Sequence, residues 1–271
     1  MEIFSTAYLM GGLGNQMFQI AHAKAQGLKQ GVKTIFKKDC FTPMQASKPT
    51  KYLDNIYKKI EFVDSLTNTT RVSESGWNNA NLNFDWSTPI EFYGYFQSSK
   101  NFLGYQNEIK ELFQPSEDFI TKIYNEYPDL QNECISLHIR RGDYLKIKHV
   151  LPTVDISYIN EALLRCDKNQ KVFLFSDDKE FLKSNFNDSR FIIVDNKEDY
   201  EELWMMSLCY TNIISNSTFS WWGAYLNKNK NKKVFIPSQW FGPSGPNPHD
   251  SIFEDNWEKI NVKYIDGKLC Y

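Results

Sequence analysis

Arginine is scarce in this 271-residue chain: five residues, at positions 71, 140, 141, 165 and 190, against 26 lysines. Cysteine is equally sparse, at 40, 134, 166, 209 and 270, odd in number and in no CxxC spacing. That usage excludes a disulfide framework or zinc module and fits reduced thiols in a cytosol-like compartment. No apolar run approaches the roughly 20 residues that cross a bilayer. The opening Met1-Glu2-Ile3-Phe4 carries an acid where a secretory signal carries bases, so no export signal is read and a cytoplasmic location is expected. The sequons headed by Asn68, Asn187 and Asn216, and the Arg-Gly-Asp at 141–143, then carry no meaning. An excess of charge is missing too: 31 basic against 33 acidic residues give a net charge of −2. Nothing in that balance draws in nucleic acid, and membrane contact would be peripheral at most. Apolar residues, by contrast, make up 41% and aromatics 15%, enough for a folded core and against intrinsic disorder.

From Cys134 onward short apolar runs alternate with helical patterns. Strands are expected at 134–139, 171–176, 191–194, 212–215 and 233–236, with helices at 155–166, 179–184, 198–210 and 218–227. Unbroken apolar strands separated by helices specify a parallel sheet covered on both faces, the doubly wound pattern. The first half is less regular. A strand at 3–9, a glycine turn at 11–14, a helix at 15–30 and a strand at 32–36 form one βαβ unit. Residues 40–88 are polar and weakly periodic, suited to loops and short helices. A strand at 91–96 and a helix at 100–113 follow. Ser116 with acids behind it caps a further helix, which Tyr127-Pro128-Asp129 ends. The domain boundary is placed near 128–133, giving an N-terminal domain 1–130 and a C-terminal domain 131–271. The tail from about 237 is a Pro/Gly-rich loop, free to pack back on the N-terminal domain.

In a parallel sheet, the loops following the strands gather at the carboxyl edge, where ligands bind. Three such loops in the second half are therefore expected to be neighbours. Arg140-Arg141-Gly142-Asp143-Tyr144 brings two of the five arginines to the end of a buried strand. Their planar forks match phosphate oxygens bidentately, the alternative being an ordinary salt bridge. Asn216-Ser217-Thr218 opens a helix, whose free N–H groups and dipole favour an anion; ordinary capping by Ser or Thr is compatible with that. Asp177-Asp178 allows two roles. The pair could hold Mg²⁺ for a nucleotide, or one carboxylate could accept from N1–H and the 2-amino group of guanine. Guanine is favoured because the arginines already supply phosphate countercharge, with helix capping reserved for Asp178. The turn at Gly12-Leu13-Gly14-Asn15-Gln16-Met17 is a poor dinucleotide fingerprint, since Met17 stands where a small residue is needed.

Five stretches together carry a family resemblance: Gly11–Gln19 (GGLGNQMFQ), Gly94–Ser98 (GYFQS), His138–Tyr144 (HIRRGDY), Phe175–Asp178 (FSDD) and Ser215–Leu226 (SNSTFSWWGAYL). In this order, over nearly the whole chain, they resemble the bacterial-type α-1,2-fucosyltransferases of glycosyltransferase family 11. The resemblance implies an α/β, GT-B-like fold of two Rossmann-like domains with parallel sheets facing across a cleft. It implies inverting transfer of L-fucose from GDP-β-L-fucose to the 2-hydroxyl of a galactoside, without an essential metal or other cofactor. The partners so implied are GDP-fucose and a galactose-terminated glycan, with no nucleic acid. Carried over, Arg140 grips the β-phosphate with Arg141 beside it, His138 and Asp177 flank the guanosine, and Asn216, Ser217 and Thr218 complete the phosphate site. Gly12, Gly14 and Asn15 would close over diphosphate or acceptor, and Tyr95 and Gln97 would line the acceptor side.

For the general base, a carboxylate or imidazole in reach of the acceptor is required. Asp143 is nearest in sequence to the arginines, although holding Arg141 is its competing role. Glu91 and Asp85 are further candidates. Two other functions stay open: a non-catalytic nucleotide- or glycan-binding protein, and an NAD-type oxidoreductase with Asp39 on the ribose hydroxyls.

Overall fold

The computed structural model describes residues 2–39, 47–76 and 84–271. Cys40 and parts of the 40–88 stretch lie outside the described residues. The chain divides into two units: residues up to Gln114 with Pro248–Glu254, and Pro115–Asn247 with Asp255–Tyr271.

In the first unit, strand β1 (Phe4–Ala7) runs through a glycine turn into helix α1 (Leu13–Gln30) and then β2 (Lys33–Lys37). Strands β3 (Glu61–Val63), β4 (Thr70–Ser73) and β5 (Ile90–Tyr93) complete a sheet of order β3-β2-β1-β5-β4, parallel throughout. Strands β3 and β4 fall where only loops and short helices are expected. They are three and four residues long, at the sheet's two edges, and mostly exposed, so no apolar alternation marks them. The single helix expected at 100–113 is also broken. A 3₁₀ turn at Ser99–Phe102 ends at Gly104, whose φ of 91° no helix accommodates, and α2 (Gln106–Phe113) starts beyond it. Helix α1 is buried on all sides from Gln16 to Ala23, and Ser5 Oγ donates to the Ala23 carbonyl at 2.7 Å.

The second unit begins with α3 (Glu117–Glu126), whose N-cap Ser116 accepts from the Phe119 amide as its sequence predicts. It belongs here rather than to the first unit. Phe119 packs on Trp204 with ring centroids 4.8 Å apart, and Lys122 pairs with Glu201 at 3.6 Å. The boundary therefore falls at Gln114/Pro115, earlier than the 128–133 read from the sequence, and within the tail only Pro248–Glu254 leaves this unit. Next come β6 (Ile135–Ile139), β7 (Thr153–Val154), α4 (Ile156–Leu164), β8 (Val172–Ser176), α5 (Lys179–Asn185), β9 (Phe191–Ile193) and α6 (Asp199–Leu208). Then follow β10 (Thr211–Ile213), α7 (Thr218–Leu226), β11 (Lys233–Pro237), β12 (Glu258–Ile260), β13 (Lys263–Ile265) and β14 (Lys268–Cys270). The main sheet has the order β12-β11-β10-β6-β8-β9 and is parallel throughout. A small mixed sheet, β13-β14-β7, lies beside it in the chain. The core of apolar strands packs against Tyr158, Ile159 and Ala162 of α4. Both large sheets change the direction of winding next to their first strand, at β1/β5 and at β10/β6. Those are the points where open α/β sheets bind ligands. Among the described residues, no helix is long and apolar enough to cross a membrane.

Candidate functional site

The second unit's switch point is built by the three loops expected to meet there. Arg140 follows β6, and its guanidinium holds two carboxylates: Asp143 Oδ1 at 2.7 Å from Nη2, and Asp177 Oδ2 at 3.0 Å from Nη1. Burial opposes the Arg140 charge, but Asp177 and then Asp143 outweigh it and hold the group above its ordinary pKa. Arg141 turns the other way, onto Asp178 at 2.9 Å and over the Phe181 ring at 3.9 Å. Asp178 also accepts from the Phe181 amide at 2.9 Å, so it is the N-cap of α5. Together, the Arg141 bond and then that amide lower its pKa.

Two expectations change at this point. Asp143 holds Arg140, not Arg141. Asp177, expected at a guanine edge, commits both oxygens to the arginine loop, Oδ1 to the Arg141 amide at 2.9 Å and Oδ2 to Arg140. Gly142 explains the close fit, because a Cβ there would lie 2.5 Å from Asp177 Oδ2. Any side chain at 142 would lever Asp177 out of the loop.

Tyr144 ties this loop to the start of α7, and sequence reading passed over it. Its hydroxyl donates to the Asn216 carbonyl at 3.1 Å and is hydrogen-bonded with Ser217. Its ring lies 5.6 Å from the Arg140 guanidinium. Burial pushes the phenol up to about 12, so it stays a proton donor across the working pH range. The only signal in the sequence was its place at the end of HIRRGDY. Ser217 occupies the N-cap position of α7 without a side-chain cap bond, and Thr218 is the first helical residue. Asn216, expected to touch ligand, is instead a brace. Its amide nitrogen donates to the Pro152 and Trp240 carbonyls at 2.9 and 2.8 Å, inside the protein. His138, buried in β6, meets Ser215 Oγ at 2.8 Å and Phe219 at 5.4 Å between centroids. Burial, then Arg140 and Lys179, hold its pKa near about 3, so the imidazole is neutral. Arg140, Asp177, Tyr144 and Ser217 thus form one constellation at the β6/β10 edge, with a positive fork and a helix start as its chemistry. Among the described residues, no three His, Cys, Asp or Glu side chains cluster as metal ligands.

The remaining expected residues lie in the first unit. Gly12 is the N-cap of α1, Gly14 is buried in its first turn, and Asn15 Oδ1 accepts from Gln97 Nε2 at 2.9 Å. That bond joins the first turn of α1 to the loop after β5. This loop is held by Glu74, which sequence reading missed: its carboxylate accepts the Tyr95 amide at 2.7 Å and the Phe96 amide at 3.1 Å. Burial raises the Glu74 pKa against the pull of those two amides. Phe96 takes a left-handed φ of 51°, and its ring stacks on His22 with centroids 4.0 Å apart. Glu91 pairs with Arg71 at 2.6 Å, while Asp85 is exposed. The objection to the oxidoreductase alternative stands: Met17, too large for a dinucleotide turn, is fully buried in α1, and Asp39, its ribose candidate, pairs with Lys48 in an exposed position.

Known proteins share this architecture. The chain is 31% identical to an α-1,2-colitosyltransferase of Escherichia coli, over 94% of this chain and 98% of that protein. It is 29% identical to the O-antigen biosynthesis glycosyltransferase WbnK of Escherichia coli, over 92% and 98%. Among solved structures, NodZ of Bradyrhizobium, an α-1,6-fucosyltransferase crystallised with GDP, superposes with a TM-score of 0.53 at 13% identity, over 83% and 92%. That last likeness is one of fold, the α/β, GT-B-like class expected from the sequence. Since the family model for glycosyl transferase family 11 also matches residues 2–261, spanning all five motifs, the chain belongs to that family.

Proposed function

We propose that the protein transfers L-fucose from GDP-β-L-fucose to the 2-hydroxyl of a galactoside, inverting the anomeric centre to give an α-1,2-fucosylated glycan. The observation that carries this reading is the Arg140 fork held by Asp143 and Asp177, with Ser217 at a helix start joined to it through Tyr144. In the transfer, the acceptor oxygen gives up its proton to a general base and forms a bond to the sugar's anomeric carbon as the bond to the β-phosphate oxygen breaks. The electron pair stays on GDP, so negative charge grows on the phosphate. A fork and helix dipole fixed beforehand stabilise that charge without reorganising. In this role Asp143 and Asp177 are positioning residues, and Arg141, its side chain turned onto Asp178, contributes the backbone amide that holds Asp177. The reading needs no metal for countercharge. The activities named for the Escherichia coli relatives and the GDP in NodZ support a sugar nucleotide donor.

A thermal-shift series tests the donor. GDP should stabilise the protein well above ADP or NAD, with a gain of about 2.7 kcal/mol at one hundred times its Kd. An equal response to NAD would overturn the guanine preference. EDTA-treated protein should then release GDP from GDP-fucose when a galactose-terminated acceptor is present. GDP binding without turnover on any of a panel of galactosides would leave a binding protein rather than a transferase. The colitosyltransferase relative makes GDP-colitose the donor to run in parallel; faster transfer from it would move the donor assignment to that sugar.

A further inference from the structure

We infer that Tyr8, Tyr93, Arg71 and Glu91 form a saccharide subsite that seats a neutral hexose residue of the acceptor glycan. The inference deepens the transferase reading and rests on it. It starts from topology: β1 lies between β2 and β5, so the first unit's winding reverses at the β1/β5 carboxyl ends. Tyr8 is the residue immediately after β1, and its amide continues the ladder to the Phe92 carbonyl at 2.9 Å. Tyr93 is the last residue of β5. Their rings stand 5.6 Å apart, tilted by 50°.

Alternation in β5 puts Glu91 and Tyr93 on one face, opposite Ile90 and Phe92, which are fully buried. Phe92 meets His22 of α1, so the aromatic pair is on the face that α1 does not cover. The pair is accessible: Tyr93 is 38% exposed, an unusual place for so large a ring at a switch point. Arg71, paired in register with Glu91 across β4 and β5, extends over both rings at 5.3 and 4.8 Å from their centroids. Its Nε and Nη2 both donate to Glu91 Oε2, at 2.7 and 2.6 Å. The described contacts leave Arg71 Nη1 as a donor and Glu91 Oε1 as an acceptor beside the rings.

This combination matches a sugar better than any other ligand class. A pyranose has an apolar C–H face that lies on an aromatic ring, and hydroxyl groups at its edge that both donate and accept. A neighbouring cationic donor and anionic acceptor serve such a pair of hydroxyls. A phosphate would be repelled by Glu91, and a purely apolar group would leave both charges unserved.

The test uses the whole 271-residue chain with GDP present and saturation-transfer NMR on methyl β-galactoside, lactose, N-acetyllactosamine and methyl β-glucoside. At least one saccharide should receive saturation from the wild-type protein. Tyr93→Ala should weaken that saccharide's binding at least about ten-fold, Tyr93→Phe should retain it, and Arg71→Met should weaken it with the rings intact. GDP-induced thermal stabilisation should persist in all three, which also shows that they fold. Unchanged saccharide binding in Tyr93→Ala, or no saccharide binding to a wild type that GDP stabilises, would overturn the subsite. Loss of the GDP response in the wild type itself would instead count against the proposed donor and leave the saccharide result to be read directly.

Discussion

Arg140 and Asp143 are three residues apart and bonded, yet the constellation gives them different work. In the proposed transfer Arg140 binds the phosphate on which charge develops, so Arg140→Ala should cost at least about 100-fold in turnover while the fold survives. Asp143 holds the Arg140 guanidinium at 2.7 Å, and the proposal gives it a positioning role through that bond. Asp143→Asn should keep an amide oxygen on the guanidinium, lose about ten-fold or less, and leave the shape of the pH–rate profile unchanged. Loss of the acidic limb, where a base is silenced by protonation, together with a thousand-fold fall would make Asp143 the general base after all. A mixture of legible and illegible contributions is seen at this scale. The arginine pair could be read from its scarcity and its place after an apolar strand. The partners across the sheet could not, because Asp177 and Asp178 each sit 37 positions beyond the arginine whose guanidinium they hold, and only the paired register of β6 and β8 decides which arginine each one meets. Tyr144 and Glu74 escaped for the same reason: each acts through a backbone group or hydroxyl of a distant loop.

At the scale of elements, the alternating strands and helices from β6 to β11 and the β1-α1-β2 unit were legible, whereas the short strands β3, β4, β7 and β12–β14 were not. Strands such as Phe191–Ile193 and Lys233–Pro237 announce themselves through unbroken apolar runs between helices. Thr70–Ser73 is a polar edge strand whose existence depends on pairing with Ile90–Tyr93, a contact that no local pattern encodes. Helices α6 and α7 offer a direct check on packing. Gly223 of α7 lies against Met206 of α6, and a Cβ at 223 would come within 2.8 Å of the Met206 Cβ. That atom is fixed to the backbone and cannot swing aside. Gly223→Ala gains about 1 kcal/mol of helix propensity, but forcing the helices apart typically costs about 1–3 kcal/mol. A lower midpoint in urea is therefore expected. A higher one would mean that the two helices separate freely.

For the molecule as a whole, two buried histidines contribute to the response to acid. His22, with neither ring nitrogen hydrogen-bonded among the described residues, and His138 both have pKa values near about 3, depressed first by burial. In the unfolded chain each would titrate near about 6.5. Above that pH neither state binds the protons, and the stability they confer is complete. Between pH 6.5 and 3 only the unfolded chain takes them up, so stability falls as pH falls, by up to about 2.7 kcal/mol per unit from the pair. Denaturation midpoints at pH 7 and pH 5 should show this, and His22→Phe, whose ring can keep the stack on Phe96, should remove about half of the slope. An unchanged slope would show that His22 does not enter the fold uncharged.

The short segment Pro248–Glu254 belongs with the first unit although its flanks belong to the second. Ser251, Ile252 and Phe253 are all buried there. Anyone exchanging halves between homologous enzymes to redirect donor or acceptor choice would thus need three junctions, not one. A single crossover near Gln114 would import a seven-residue strap moulded to the wrong host, and the hybrid would fail for want of that small piece rather than for any fault in its catalytic loops.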